Sequence, residues 1–178
     1  MKILGIDPGS IYCGYGFIKA PDSRGPRVNV SRKDARVLYL ASGRIVLPAR
    51  KPLHIRLKEL FTTLTEVIAE YKPDEIVIEK MFFAKGIKAA LSLGHTRGVV
   101  LTAAALTGID IYEYSALEVK KSVVGYGRAD KNQVQNMVRA ILEIGHDLSP
   151  DSADALALAL CHSHTMNFGI PAGGKSCS

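Results

Sequence analysis

The chain has 178 residues, 47% of them apolar and 22% charged, with a formal net charge of +6. That size and apolar content suit one domain with a real core and exclude general disorder, and no apolar run is long enough for a membrane span or survives past Asp7 as a secretory leader. Cys13, Cys161 and Cys177 form no even framework and no CxxC pair, which fits a reduced, cytosolic protein, while the positive charge suits either an anionic partner such as nucleic acid or ordinary solubility.

The first nine residues read MKILGIDPG. Ile3, Leu4 and Ile6 make a short apolar run closed by Asp7, Pro8 and Gly9, the pattern of a buried strand ending in a sharp turn. A carboxylate at the end of a core strand either caps its own loop or must be paired or bind a metal. Residues 12–20 predict a second strand, antiparallel to the first. Residues 21–34, polar and holding two prolines, predict a loop or hairpin extension. Residues 35–47 predict a third strand, bent at Ser42-Gly43 and ended by Pro48.

The period then becomes helical. Leu57, Leu60, Phe61, Leu64 and Ile68 recur at three and four residues, giving a helix from about Pro52 to Tyr71 that Lys72-Pro73 stops. Residues 74–79 (DEIVIE) predict a fourth strand, buried on both faces, which also ends on a carboxylate, Glu79. Residues 86–107 predict a helix rich in small residues, with Gly94 and Gly98 one turn apart. Each glycine there costs roughly 1 kcal/mol relative to alanine. Close packing on the chain's own sheet, or a helix-to-helix seam between two copies, would compensate.

A fifth strand (109–114), a short helix (116–124), a loop (125–130) and a helix from Lys131 to Leu142 follow. The last helix starts at Ser149-Pro150, a good cap and first-turn pair, and runs to about His162. The expected organisation is one domain over 1–166 and a flexible tail over 167–178. Three antiparallel strands, then two strands reached through helices and parallel to the first, make a five-stranded mixed α/β sheet with helices on both faces.

That order brings acids together. If strands one and four are parallel neighbours, Asp7 and Glu79 leave the same sheet edge within about 5 Å. Asp151 and Asp154, at i and i+3, share a face at the start of the last helix. Singly, each of these two is well placed beside a helix N-terminus. With Asp7 and Glu79 they predict a four-carboxylate cluster whose repulsion a hard divalent cation would relieve. Oxygen ligands suit Mg²⁺ or Mn²⁺, and two ions about 4 Å apart would activate a water and stabilise the leaving oxygen of a phosphodiester.

The segments LGIDPGS (4–10), IVIEKMFFAKG (76–86), LGHTRG (93–98), VKKSVVGYGRADKNQVQNMV (119–138) and DSADALALAL (151–160) resemble the RuvC family of Holliday-junction resolvases. The likeness runs in order from residue 1 to about 165. It implies an RNase H-like fold, a homodimer and metal-dependent nicking of four-way DNA junctions in recombination and repair. Asp7, Glu79, Asp151 and Asp154 match the family's four acidic positions, and some members carry His where this chain has Asp151. Lys120 and Lys131 match lysines the family uses near the scissile DNA, and Lys131 joins the catalytic set.

Lys85, Arg97, Lys121 and Arg128 are further candidate phosphate contacts, in a stretch (80–139) with nine Lys/Arg against four Asp/Glu. Phe82 aligns with the family's aromatic and is the candidate wedge between bases at the crossover, while Phe83 reads as core. His95 stands where the family has Gln. His162 and His164, at i and i+2, do not share a helix face as a metal pair would.

The resemblance further implies symmetric cuts in two strands of like polarity, 5′-phosphate and 3′-hydroxyl products, and a branch-migration helicase complex as partner. The rivals are an RNase H-like nuclease acting on structured RNA, such as a ribosomal-RNA maturase, an actin-like phosphotransferase, and a non-catalytic junction-binding module. The 119–138 segment and Phe82 favour the resolvase over the first. The second would need a chain about twice this length, and the four intact acids argue against the third.

Overall fold

The middle strand of the sheet is β1 (Lys2–Pro8), in a computed structural model that describes residues 1–21, 36–80 and 86–167. Antiparallel β2 (Tyr12–Lys19) and β3 (Leu38–Val46) lie on one side of it, and parallel β4 (Glu75–Glu79) and β5 (Asp110–Tyr114) on the other. The order β3-β2-β1-β4-β5 is the mixed sheet expected from the sequence. One detail differs. The β2–β3 ladder slips at Leu40, between the pairs Phe17–Ala41 and Ile18–Tyr39, whereas Ser42 and Gly43 pair regularly with Gly16 and Tyr15. An extra residue in one strand displaces the register whatever its type, so the small Ser-Gly pair is not where the strand departs from regularity.

Alternation along β1 and β4 divides the core in two. Leu4, Ile6, Ile76 and Ile78 pack under α1 (Leu53–Tyr71) and α2 (Ile87–Ala105). Ile3 and Val77 face the opposite layer, made by α3 (Ala116–Val124), α4 (Lys131–Ile141) and α5 (Pro150–Asn167). Asp7 and Glu79 therefore point to the α5 side.

α5 lies unusually close to the sheet. A Cβ built on Gly5 would fall 1.9 Å from the Ala155 carbonyl oxygen, and one on Gly16 would fall 2.6 Å from Leu156 Cγ. Glycines in β1 and β2, under the small residues of Ala155-Leu156-Ala157, let the helix backbone settle onto the strands. Ser149 caps α5 as expected, accepting from Ser152 N–H at 3.2 Å. The helix continues past His162 to Asn167, with His164 Nδ1 3.1 Å from Ser122 Oγ of α3.

Two capping boxes fix the layer beside it. Ser115 and Glu118 start α3, and Asp130 and Gln133 start α4, each pair exchanging side-chain and backbone hydrogen bonds. Lys131 is thereby the first residue of a well-defined helix.

Candidate active site

Ile6 of β1 is level with Ile78 of β4. Asp7 and Glu79, the next residue on each strand, thus emerge side by side about 4.8 Å apart at the backbone. On the other side Asp7 is level with Gly14 of β2, and a Cβ there would fall 2.0 Å from the Asp151 carbonyl oxygen. The first turn of α5 is therefore seated directly beside Asp7. Asp7, Glu79 and Asp154 together line a cavity of about 50 Å³, with Lys120, Ala116, Val119 and Leu158 completing its wall.

The charges feel one another. Burial, then Glu79, Asp154 and Asp151, push the Asp7 carboxyl up to about 7, and Lys131 opposes this. Burial and Asp154 raise Glu79, with Lys131 and Arg97 pulling the other way. Burial is also the largest cause of a raised Asp154, which Lys131 counters. Lys131 Nζ donates to Asp154 Oδ2 at 3.2 Å, and its own pKa is raised by that carboxylate.

The donor set fits a hard divalent cation: half-buried, mutually repelling oxygens and no sulfur. The side chains as they stand are not drawn into a ligand cage. Asp154 is turned to Lys131, and among the described residues no three acids, histidines or cysteines close on one point. Asp151 stands next to the cavity without lining it.

The other expected site residues divide into four groups. Lys120 and Lys131 are at the acids. Lys121 and Arg128 are exposed on the same layer and do not line the cavity. Arg97 corrects the expectation of a phosphate contact. Its Nη1 donates to the Glu79 carbonyl at 2.7 Å, its Nη2 pairs with Glu113 Oε1, and the two side chains are only 14% and 18% exposed. Both ends of the guanidinium are already engaged inside the protein, so Arg97 holds β4 rather than facing solvent. Phe82, Phe83 and Lys85 lie outside the described residues, as do residues 22–34 of the expected loop and the tail from 168.

Sequence reasoning missed three supports. Glu113 completes the Arg97 bridge. Arg56 of α1 donates from Nη2 to the Ser10 carbonyl, tying down the turn after Asp7. Gly14 makes room for α5. The glycines of YCGYG were the one available signal; nothing in the sequence pointed to Arg56.

His162 and His164 are not a metal pair. His162 is fully buried, its Nε2 2.5 Å from Glu75 Oε2 and its Nδ1 2.8 Å from the Tyr114 hydroxyl, while His164 turns to Ser122.

The family described as crossover junction endodeoxyribonuclease RuvC matches residues 3–162. The chain belongs to the RuvC family. It is 43% identical over 171 residues to the RuvC of Heliobacterium modesticaldum, covering 96% of this chain and 98% of that one. It is 46% identical over 165 residues to the RuvC of Bordetella avium, covering 93% and 84%. Among solved structures, Thermus thermophilus RuvC superposes with a TM-score of 0.79 at 29% identity over 96% of this chain and 98% of its own. The same RuvC in complex with a Holliday junction substrate gives 0.83 at 28% identity, over 96% and 97%. A yeast mitochondrial Holliday junction resolvase, at 14% identity and a TM-score of 0.59, covering 92% and 79%, shares the fold. The family's description makes its members nucleases. Among the described residues no helix is long and apolar enough to cross a membrane.

Proposed function

We propose that this chain is a structure-specific DNA endonuclease that resolves Holliday junctions in recombination and repair. What carries the reading is one small cavity lined by Asp7, Glu79 and Asp154, with Lys120 in its wall and Lys131 on Asp154, in a member of the RuvC family. Asp7, Glu79, Asp154 and the adjacent Asp151 would hold two Mg²⁺ or Mn²⁺ ions. When bound, these supply the Lewis acidity that activates an attacking water and steadies the leaving oxygen. Asp154 would exchange Lys131 for the cation, freeing the ammonium for the scissile phosphate. Lys120 would neutralise charge beside it, and Lys121 and Arg128 would hold phosphates farther out. Cleavage would leave 5′-phosphate and 3′-hydroxyl ends.

The active unit would be a homodimer whose two sites cut strands of like polarity across a two-fold axis. α2 supports this part of the reading. Among the described residues nothing lies within 4 Å of a Cβ built on Gly94 or Gly98, so neither glycine serves packing there, and Ile87 and Leu91 are exposed at 81% and 58%. A cytosolic enzyme working beside a branch-migration helicase completes the proposal. Gly98→Leu should yield monomers in sedimentation; an unchanged dimer would refute the seam.

The deciding test is nicking of a synthetic four-way junction, with and without Mg²⁺, by the unaltered protein and Asp7→Asn, beside a structured RNA of similar size. Metal-dependent paired nicks in the junction alone, lost in Asp7→Asn, are expected. Preferential RNA cleavage, or equal cutting by Asp7→Asn, would overturn the reading.

A further inference from the structure

Across four neighbouring strands, Glu79, Asp7, Gly14 and Arg44 occupy one row, since Asp7 is level with Gly14 and Gly14 with Arg44. Gly14 faces Asp151 of α5, so Arg44, directly opposite it in an antiparallel ladder, projects from that same face. Tyr12, two residues before Gly14, does likewise. The two side chains meet: Arg44 Cζ lies 4.5 Å from the centre of the Tyr12 ring. Tyr12 is 37% exposed and Arg44 is exposed, at the rim of the sheet beyond Asp151.

Most of the other exposed cations with a described partner face an acid. Arg36 pairs with Glu143, Lys51 with Glu59, Lys131 with Asp154 and Arg139 with Asp147. Among the described residues Arg44 has the Tyr12 ring and no carboxylate within ion-pair reach. A guanidinium held over an aromatic ring is less free to swing, which suits a phosphodiester oxygen pair better than an unrestrained side chain does.

Lys120 lines the acid cavity beside Glu79 of β4, and Arg44 stands on the β2–β3 side of Asp7. We infer that Arg44, oriented by Tyr12, is a second backbone-binding site for the cleaved DNA strand, on the opposite side of Asp7 from Glu79 and Lys120. This rests on the junction-nuclease reading above. Two strand spacings separate Arg44 from Asp7, about 10 Å. At about 3.4 Å of axial rise per nucleotide, the phosphate held lies two or three nucleotides from the cut.

The test uses Asp7→Asn protein as parent, so that binding is read without cleavage, and a four-way junction titrated across a salt series. Arg44→Gln on that parent should weaken binding about 3–10-fold near 0.1 M salt and lower the slope of log affinity against log salt by about one. Tyr12→Ala should produce a smaller loss and Tyr12→Phe almost none. Arg36→Gln, an equal loss of charge at a residue paired to Glu143, should change neither quantity. A neutral methylphosphonate two or three nucleotides from the cut should weaken the parent and leave the Arg44→Gln protein unchanged. Equal behaviour of Arg44→Gln and Arg36→Gln, with the junction still bound by the parent, would overturn the site and leave the nuclease reading standing. A parent that does not bind the junction at all would overturn both.

Discussion

Arg97 Nη1 donates to the backbone carbonyl of Glu79 at 2.7 Å, so a side chain from α2 grips the strand at the residue that carries a candidate metal ligand. The same guanidinium pairs with Glu113 of β5, and Tyr114, the next residue, is level with Glu79. Together they lock the end of β4 between α2 and β5. Arg97 is a positioning residue in this arrangement. Arg97→Met alone should cost about 1–3 kcal/mol in denaturant melts, because the half-buried Glu113 loses its counter-charge and the Glu79 carbonyl its donor. Arg97→Met with Glu113→Leu should recover most of that stability. Nicking by the double variant should stay at least about ten-fold slow at saturating junction, with junction affinity unchanged, since misplacing a reacting group by a fraction of an ångström is expensive. Recovery of the nicking rate along with stability would reduce the bridge to a structural role.

Gly14 tests how α5 is seated. Gly14→Ala must move either β2 or the first turn of α5, because the nearest obstacle is the Asp151 carbonyl itself rather than a side chain that can swing away. The expected result is a loss of about 1–3 kcal/mol in stability and a nicking rate that needs several-fold more Mg²⁺ for half-saturation. Unchanged metal dependence in a folded Gly14→Ala protein would show that Asp151 and Asp154 are not positioned from this contact.

These two residues mark where the sequence was legible and where it was not. The five strands, five helices and their order follow from local signals: Ile3-Leu4-Ile6, the Leu57-to-Ile68 period, Lys72-Pro73 and Ser149-Pro150. The convergence of Asp7 with Glu79 followed from two strands that each end on an acid. Arg97 was misread because a cation in a basic segment looks the same whether it faces solvent or a backbone carbonyl. Its partner, Glu113, lies 16 residues away on β5. The seat of α5 was missed for a related reason. A glycine-rich strand reads as a bend or weak strand until the helix that exploits the missing Cβ is known.

The buried chain Glu75–His162–Tyr114 ties α5 to the start of β4 and to the last residue of β5. His162→Ala would leave a buried carboxylate and a buried phenol each short of one partner. The expected cost is about 2–4 kcal/mol by urea melts. His162→Gln, which can still bond both neighbours, should cost less. The nicking rate per folded molecule of His162→Gln should stay within about two-fold, because none of Glu75, His162 and Tyr114 lines the acid cavity. A large rate loss with full stability would contradict that separation.

Asp7 gives the pH prediction. Its carboxyl is held at about 7 in the folded chain against an ordinary value of 3.8, chiefly by burial and then by Glu79. Between those two values the folded state keeps a proton that the unfolded state releases. Without divalent metal, stability should therefore fall as pH rises from about 4 to about 7 and level off above. Asp7→Asn removes this term and should be more stable than the unaltered protein at pH 8, by about 1–3 kcal/mol. Below pH 4 the two should converge. Added Mg²⁺ should raise the melting temperature of the unaltered protein more at pH 8 than at pH 6, since ligation competes with the proton. It should raise that of Asp7→Asn little at either pH. Calorimetric melts of both proteins, with EDTA and with Mg²⁺, check each sign. An Asp7→Asn protein that is less stable at pH 8, or that gains as much from Mg²⁺ as the unaltered one, would remove Asp7 from the centre of the cation site.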